Sequence, residues 1–355
     1  VISILTAKTQ DDQLIILTKT ISRTELHRLR QTRYFFCPLC NEKLLLKIGS
    51  VKIPHFAHQH HSLCASLSEP ESPKHLSGKH QLHSFFTSRK FSCQLEVYIQ
   101  PIAQRADLLI SDTYAVEYQC SPIPAEEVER RTAGYRKAGF TPCWISGTAA
   151  PVSEGVQALK LRVFEQAILK QQNCVLFFDP DRDMFCYASN LFYLGGNRWA
   201  GKVRSLPASQ QIFPFARARP VNKEEFRQIC LLFRSERDRL VRARKFGSRH
   251  LKDPFWRVIY KMRYNVEQLP PFLGVPIQYA EVFRMHAVLW QLLVIEGDFN
   301  EEFLVNSGRI SIAAGDEETA KRVIKQYALA YQQLVDTDSE EDMAAFLFSQ
   351  SCKTY

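Results

Sequence analysis

The first thirty residues alternate and cluster their apolar positions as a short hairpin followed by a helix would. Ile2-Ser3-Ile4-Leu5 and Leu14-Ile15-Ile16-Leu17 read as strands, with Asp11-Asp12 supplying turn residues between them. Ser22 stands three residues before Glu25 at the head of a basic stretch ending at Arg33, the spacing of a helical capping box. The polar segment Ser66 to Ser77 reads as a linker running into a helix, with Pro73 suited to its first turn and Leu82, Phe85 and Phe86 on its apolar side.

From Cys93 to Trp144 the period changes. Leu95 to Ile99 alternates every second residue, and Ala106 to Ile110 and Tyr114 to Cys120 follow as further strands around the turn Ser111-Asp112-Thr113. Pro124 to Ala138 reads as a helix with a charged outer side, and Thr141 to Ser146 as another short strand. This order predicts an α/β domain with a mixed sheet flanked by helices. Val175 to Asp179 and Met184 to Tyr187 suit a hairpin across Pro180 to Asp183. Beyond Asn222 the apolar stripe of Phe226, Ile229, Cys230, Phe233, Leu240 and Val241 is helical, and a second helix is expected over Ala280 to Glu296, with Trp290 in its core. Three regions result: residues 1–65, an α/β domain over 66–155, and a mainly helical region over 156–355.

Composition narrows the field only through charge and cysteine. The 355 residues carry a formal net charge of +9, which favours an acidic partner, nucleic acid being the commonest. The opening residues lack the basic, apolar and cleavage segments of a secretory leader, and no apolar run is long enough to span a bilayer. The 10 cysteines therefore read as reduced thiols of a cytoplasmic protein. No Walker or Gly-x-Ser-x-Gly pattern occurs, so an ATP-driven motor or an esterase is unsupported.

Candidate chemistry centres on Asp107 and Glu117, which fall on neighbouring predicted strands, with Gln119 on the same face as Glu117. Two such carboxylates suit a hard cation, Mg²⁺ or Mn²⁺, which would polarise a phosphodiester and activate water. Upstream, Glu71, His75 and Lys79 recur every fourth residue on one helix face, placing Glu71 and His75 toward the site and Lys79 near a phosphate. Arg105 suits a phosphate contact or plain exposure. Ordinary strand-end acids and a solvated helix face account for the same spacings.

Arg105-Ala106-Asp107 followed by Glu117-Tyr118-Gln119-Cys120-Ser121-Pro122 resembles the restriction-endonuclease-like superfamily, whose signature is Asp and then (Asp/Glu)-x-Lys. Together with Glu129-Arg130-Arg131-Thr132, Tyr135 and Trp144-Ile145, the pattern resembles the competence protein CoiA family. That resemblance implies a restriction-endonuclease-like core and a role in processing or recombining incoming DNA, single-stranded in the transformation pathway, alongside other competence or recombination proteins. It also implies that the helix before the strands lends an acidic residue to the metal site. Gln119 departs from the signature: it stands where the superfamily has Lys and brings a hydrogen bond without charge.

The N-terminal region carries Cys37-Pro38-Leu39-Cys40 and then His55-Phe56-Ala57-His58, a Cys-x₂-Cys-x₁₄-His-x₂-His series. Cys37, Cys40, His55 and His58 are the expected ligands of a structural Zn²⁺; Cys64 competes with His58 for the fourth place, and His60 and His61 add ambiguity. A metal-free module in which the histidines are buried or touch DNA is the alternative. In the C-terminal region, Arg237, Arg242, Arg244 and Lys245 lie in a basic run from Arg234 to Lys252 near Phe246, Phe255 and Trp256, as a single-strand-binding groove requires. A solvated helix interleaved with core aromatics fits the same run. Three readings remain open: a metal-dependent nuclease, a DNA-binding recombination accessory that keeps the nuclease fold without cutting, and a scaffold that touches no DNA.

Overall fold

A computed structural model describes residues 3–17, 21–50, 53–58, 64, 72–247, 253–312, 315–337 and 339–351. Glu71, His60, His61, Arg249 and Lys252 lie outside the described residues. The chain divides into two compact units. The first comprises Val1–Ala150, Val163–Tyr187 and Ser205–Ala216; the second comprises Pro151–Arg162, Ala188–Arg204 and Arg217–Tyr355. The first unit thus reaches past the boundary expected at residue 155.

The first unit opens with strands β1 (Ser3–Ile4), β2 (Thr6–Thr9) and β3 (Leu14–Ile16), helix α1 (Arg23–Thr32), and strands β4 (Phe35–Phe36), β5 (Lys43–Lys47) and β6 (His55–His58). They form an antiparallel sheet in the order β1-β6-β5-β4-β2-β3. The expected first strand is split: Ser3–Ile4 pairs with β6, and Thr6–Thr9 takes its place in the hairpin with β3. α1 begins as its sequence dictates, with the Ser22 hydroxyl accepting from the Glu25 amide at 3.1 Å. On β5, Leu44 and Leu46 are buried whereas Lys43, Leu45 and Lys47 are exposed.

Helix α2 (Pro73–Ser88) follows, capped by Ser72 with Pro73 in its first turn. It packs on a meander of β7 (Cys93–Ile99), β8 (Gln104–Ile110) and β9 (Tyr114–Gln119). A Cβ at Gly78 would lie 2.0 Å from the Tyr118 ring, so only glycine lets α2 approach β9 this closely. Helix α3 (Ala125–Lys137) leads to β10 (Thr141–Ser146), which runs parallel to β9. After β11 (Gly155–Lys160), which belongs to the second unit, helix α4 (Val163–Gln172) and β12 (Cys174–Asp179) return to the first, β12 parallel to β10. The expected mixed α/β core is present.

The second unit contains β11, the later part of β13 (Met184–Gly195) and the earlier part of β14 (Arg198–Pro207), with β11 and β14 antiparallel from Gly155↔Val203 to Lys160↔Arg198. Its helices are α5 (Lys223–Phe246), α6 (Pro254–Lys261), α7 (Ala287–Glu296), α8 (Glu301–Asn306), α9 (Glu317–Leu334) and α10 (Glu340–Ser351). Trp290 is fully buried in their apolar core, as expected. The long helix expected from Ala280 is broken instead. Ala280–Phe283 is a 3₁₀ turn, Arg284 adopts a left-handed φ of 47°, and the His286 ring caps a fresh helix start.

Candidate functional site

The β8–β9 ladder runs from Ile110↔Tyr114 to Leu108↔Val116 and ends there. The same offset places Asp107 across from Glu117 where backbone pairing stops. Helix α2 addresses the first carboxylate. His75 Nε2 lies 3.4 Å from Asp107 Oδ2, which also accepts the Tyr118 amide at 3.0 Å, and Lys79 Nζ stands 3.6 Å from Oδ1. Helix α3 addresses the second: Arg131 Nη2 and the Tyr135 hydroxyl both donate to Glu117 Oε1. Among the described residues the hydrogen bonds to each carboxylate fall on one oxygen. Asp107 Oδ1 meets Lys79 only at ion-pair distance, and Glu117 Oε2 takes no hydrogen bond among the described residues.

Environment drives the two acids apart. Burial alone would raise the Asp107 carboxyl, but the charges of Lys79 and His75 with the Tyr118 N–H hold it far below the usual carboxylate range. Burial pushes Glu117 up; the Arg131 charge opposes this, the negative Asp107 adds to it, and the result is a carboxyl above its ordinary value. Gln119 contributes no charge and its amide donates to Ser121 O at 2.7 Å. The Arg105 carbonyl accepts from Arg131 at 2.8 Å.

A third acid escaped the sequence reading. Glu96 on β7 is 7% exposed, and its Oε2 accepts from Leu5 N at 3.0 Å, Thr6 N at 3.2 Å and Thr6 Oγ1 at 2.9 Å. Its Oε1 accepts from Lys79 Nζ at 2.7 Å, a pair with both side chains fully buried. Lys79 is therefore a buried link between Glu96 and Asp107, where a surface phosphate contact was expected. The β7–β8 register passes from Leu95↔Leu108 to Val97↔Ala106 and skips Glu96, whose φ of 56° lies in the left-handed region. A side chain there costs of order 1 kcal/mol and persists only where its surroundings fix it.

The Lys79 link has a measurable consequence. Lys79→Met leaves two buried carboxylates short of their cation and is expected to cost about 3–5 kcal/mol in chemical denaturation. Adding Glu96→Gln should recover part of the loss, because a neutral amide still accepts from Leu5 and Thr6 without needing a counter-ion. Burial would raise Glu96, but Lys79 and Arg105 hold it, like Asp107, below its unfolded value. Their stabilisation is thus present above the ordinary carboxylate range and lost as pH falls below that range toward their lowered folded-state values. Lys79→Met should flatten that acid-side slope; an unchanged slope contradicts the assignment.

The cysteines gather elsewhere in the first unit. Ligand atoms of Cys37, Cys40, His58 and Cys64 all lie within 4.8 Å of one another. Cys37 Sγ to Cys64 Sγ is 3.9 Å and Cys40 Sγ to His58 Nε2 is 3.5 Å. A tetrahedral ion with bonds of about 2.3 Å to sulfur and about 2.0 Å to nitrogen would separate such atoms by roughly 3.5–3.8 Å. His55 is not in the group: on β6 it is three residues from His58, hence on the other face, and its Nδ1 lies 2.8 Å from Ile53 O. Cys64 occupies the place expected for His55. Burial pushes the Cys37 thiol up and Cys40 to about 12, and pushes His58 down. A bound cation would reverse the cost of deprotonating this thiol cluster.

Residues 18–67 match the family described as competence protein CoiA, N-terminal domain, and residues 71–216 match competence protein CoiA, nuclease-like domain. The chain is also 29% identical over 269 residues to the competence protein CoiA of Bacillus subtilis (strain 168), covering 73% of this chain and 70% of the relative. This chain belongs to the CoiA family. No solved structure matches it. Asp107, Glu117, Lys79 and Glu96 of this CoiA-family chain fall inside the nuclease-like match, and the cysteine cluster inside the N-terminal one.

The basic C-terminal run lies outside both matches. There, Arg237 donates to the carbonyls of Pro270 and Leu273 at 3.4 and 3.3 Å. Arg244 pairs with Asp253, and Lys245 with Glu267 at 2.6 Å. Arg234 pairs with Glu340 and Arg239 with Glu236. Arg242 is exposed. Among the described residues, then, most cations of this run already meet an acid or a carbonyl of the second unit. Phe255 and Trp256 are core residues. No helix is long and apolar enough to cross a membrane among the described residues.

Proposed function

We propose that this CoiA-family protein acts in the cytoplasm on incoming, single-stranded DNA during natural transformation, and that it hydrolyses phosphodiesters at the Asp107–Glu117 site. The observation that carries this reading is the pair of carboxylates on adjacent strands, each keeping one oxygen outside its internal hydrogen bonds. Two oxygen donors of this kind suit Mg²⁺ or Mn²⁺, which would supply polarisation of the phosphate and activation of water. His75 and Lys79 orient Asp107, Arg131 and Tyr135 orient Glu117, and solvent reaches Asp107, whose side chain is 13% exposed. A structural Zn²⁺ held by Cys37, Cys40, His58 and Cys64 would fold the N-terminal sheet, the thiolate-rich donor set being a zinc set rather than a magnesium set.

Labelled single-stranded DNA incubated with the full chain should be cut when Mg²⁺ or Mn²⁺ is added and remain intact without either. One observation favours the non-catalytic reading: Gln119 is uncharged and turned to Ser121 O. That alternative predicts salt-sensitive DNA binding with no cutting at any ion concentration. Partners among other competence or recombination proteins follow from the same role.

A further inference from the structure

Cross-strand partners of an antiparallel sheet share a face. In the N-terminal sheet one row therefore runs Leu14–Lys8–Phe36–Lys43, through the registers Lys8↔Leu14, Lys8↔Phe36 and Phe36↔Lys43. Alternation along β5 adds Leu45 and Lys47 to the same face, and Tyr34, just before β4, joins it through its contact with Lys43. The opposite row, Thr9–Phe35–Leu44–His58, is wholly buried. On the open face Leu14 is 57%, Tyr34 60% and Leu45 39% exposed. Lys43 Nζ lies 4.2 Å from the centroid of the Tyr34 ring.

We propose that this face binds single-stranded DNA, with Tyr34 and Phe36 stacking on bases and Lys8, Lys43 and Lys47 meeting phosphates. The inference rests on the reading that DNA is what the protein handles, and it moves the gripping surface from the C-terminal helix to the N-terminal sheet. Charge complementarity carries it. Lys43 and Lys47 make no ion pair among the described residues, whereas the basic run of α5 is largely paired internally. Among the described residues Lys8 pairs only with Asp12, at 3.3 Å and with the acid 85% exposed, a contact that a phosphate can replace. Two neighbouring aromatics between lysines suit unpaired bases, whose ring faces are open, and not a duplex, whose bases are already stacked.

The test is fluorescence anisotropy of a labelled oligo-dT with the full chain, without added divalent ion, over a series of salt concentrations. Tyr34→Ala should weaken binding about tenfold or more. Lys43→Glu with Lys47→Glu should weaken it further and lower the slope of log affinity against log salt by about 1.4, about 0.7 for each phosphate no longer neutralised. All three side chains are exposed, so thermal melts should stay unchanged; Arg242→Glu on α5 should keep affinity within about twofold. Wild-type affinity in the Tyr34 and lysine variants overturns the proposal and leaves the DNA reading standing. Equal competition by duplex DNA or a preference for oligo-U also overturns it. Wild-type protein that binds no DNA removes both. Binding that follows the predicted pattern without any cleavage sustains this surface and removes only the nuclease reading.

Discussion

Asp107→Ala and Glu117→Ala are each expected to slow Mg²⁺-dependent cleavage of single-stranded DNA by about a thousandfold or more, with DNA affinity changed by no more than about threefold. A metal ion supplies several kcal/mol of transition-state stabilisation, and about 4 kcal/mol corresponds to a thousandfold in rate. Neither acid lies on the open face of the N-terminal sheet, so binding should survive. The two variants should differ in stability. Asp107→Ala removes a carboxylate held far below its ordinary range and takes one buried anion from beside Lys79, whose pair with Glu96 remains. Glu117→Ala removes one that burial disfavours, and frees Arg131 to keep its bond to the Arg105 carbonyl. Substantial cleavage by either variant would mean that cutting, if present, uses another site.

Cys64→Ser is expected to abolish stoichiometric zinc and unfold the N-terminal sheet, whereas His55→Ala should keep both. Apparent binding free energies of structural zinc are about 10–16 kcal/mol, more than a small sheet gains from its own core. Cys64 and Cys37 are both buried and 3.9 Å apart, so loss of one thiolate opens the coordination sphere from within. Metal analysis with amide exchange over residues 3–58 measures both effects. Equal zinc in wild type and Cys64→Ser, or loss in His55→Ala, would reinstate the histidine pair as ligands.

Much of the first unit was legible because its signals are local. Pro73 starts α2, Ser22 caps α1, and alternation sets β7 to β9, so Asp107 and Glu117 could be placed on neighbouring strands. What stayed hidden depends on contacts distant in sequence. Within Leu95-Glu96-Val97 the glutamate has the look of a solvent-facing strand residue; its burial follows from Lys79 and from the backbone of Leu5 and Thr6, some 90 positions away. The partners that absorb Arg237 and Lys245 stand 36 and 22 positions away, whereas Asp253, which pairs with Arg244, is only 9 away but lies beyond the end of α5. His55 is different: ligand spacing alone could not separate it from His58, and only the strand His55–His58, on which residues three apart face opposite ways, does so. The break at Arg284 carried no proline or glycine to announce it.

Anomalous diffraction from crystals of the full chain grown with Mn²⁺ and a short single-stranded oligonucleotide addresses the shared-ion site most directly. One manganese peak within about 2.2 Å of an oxygen from each of Asp107 and Glu117 is the predicted result. A peak touching only one of the two carboxylates, or none at either while the phosphate chain is ordered on the protein, would contradict it.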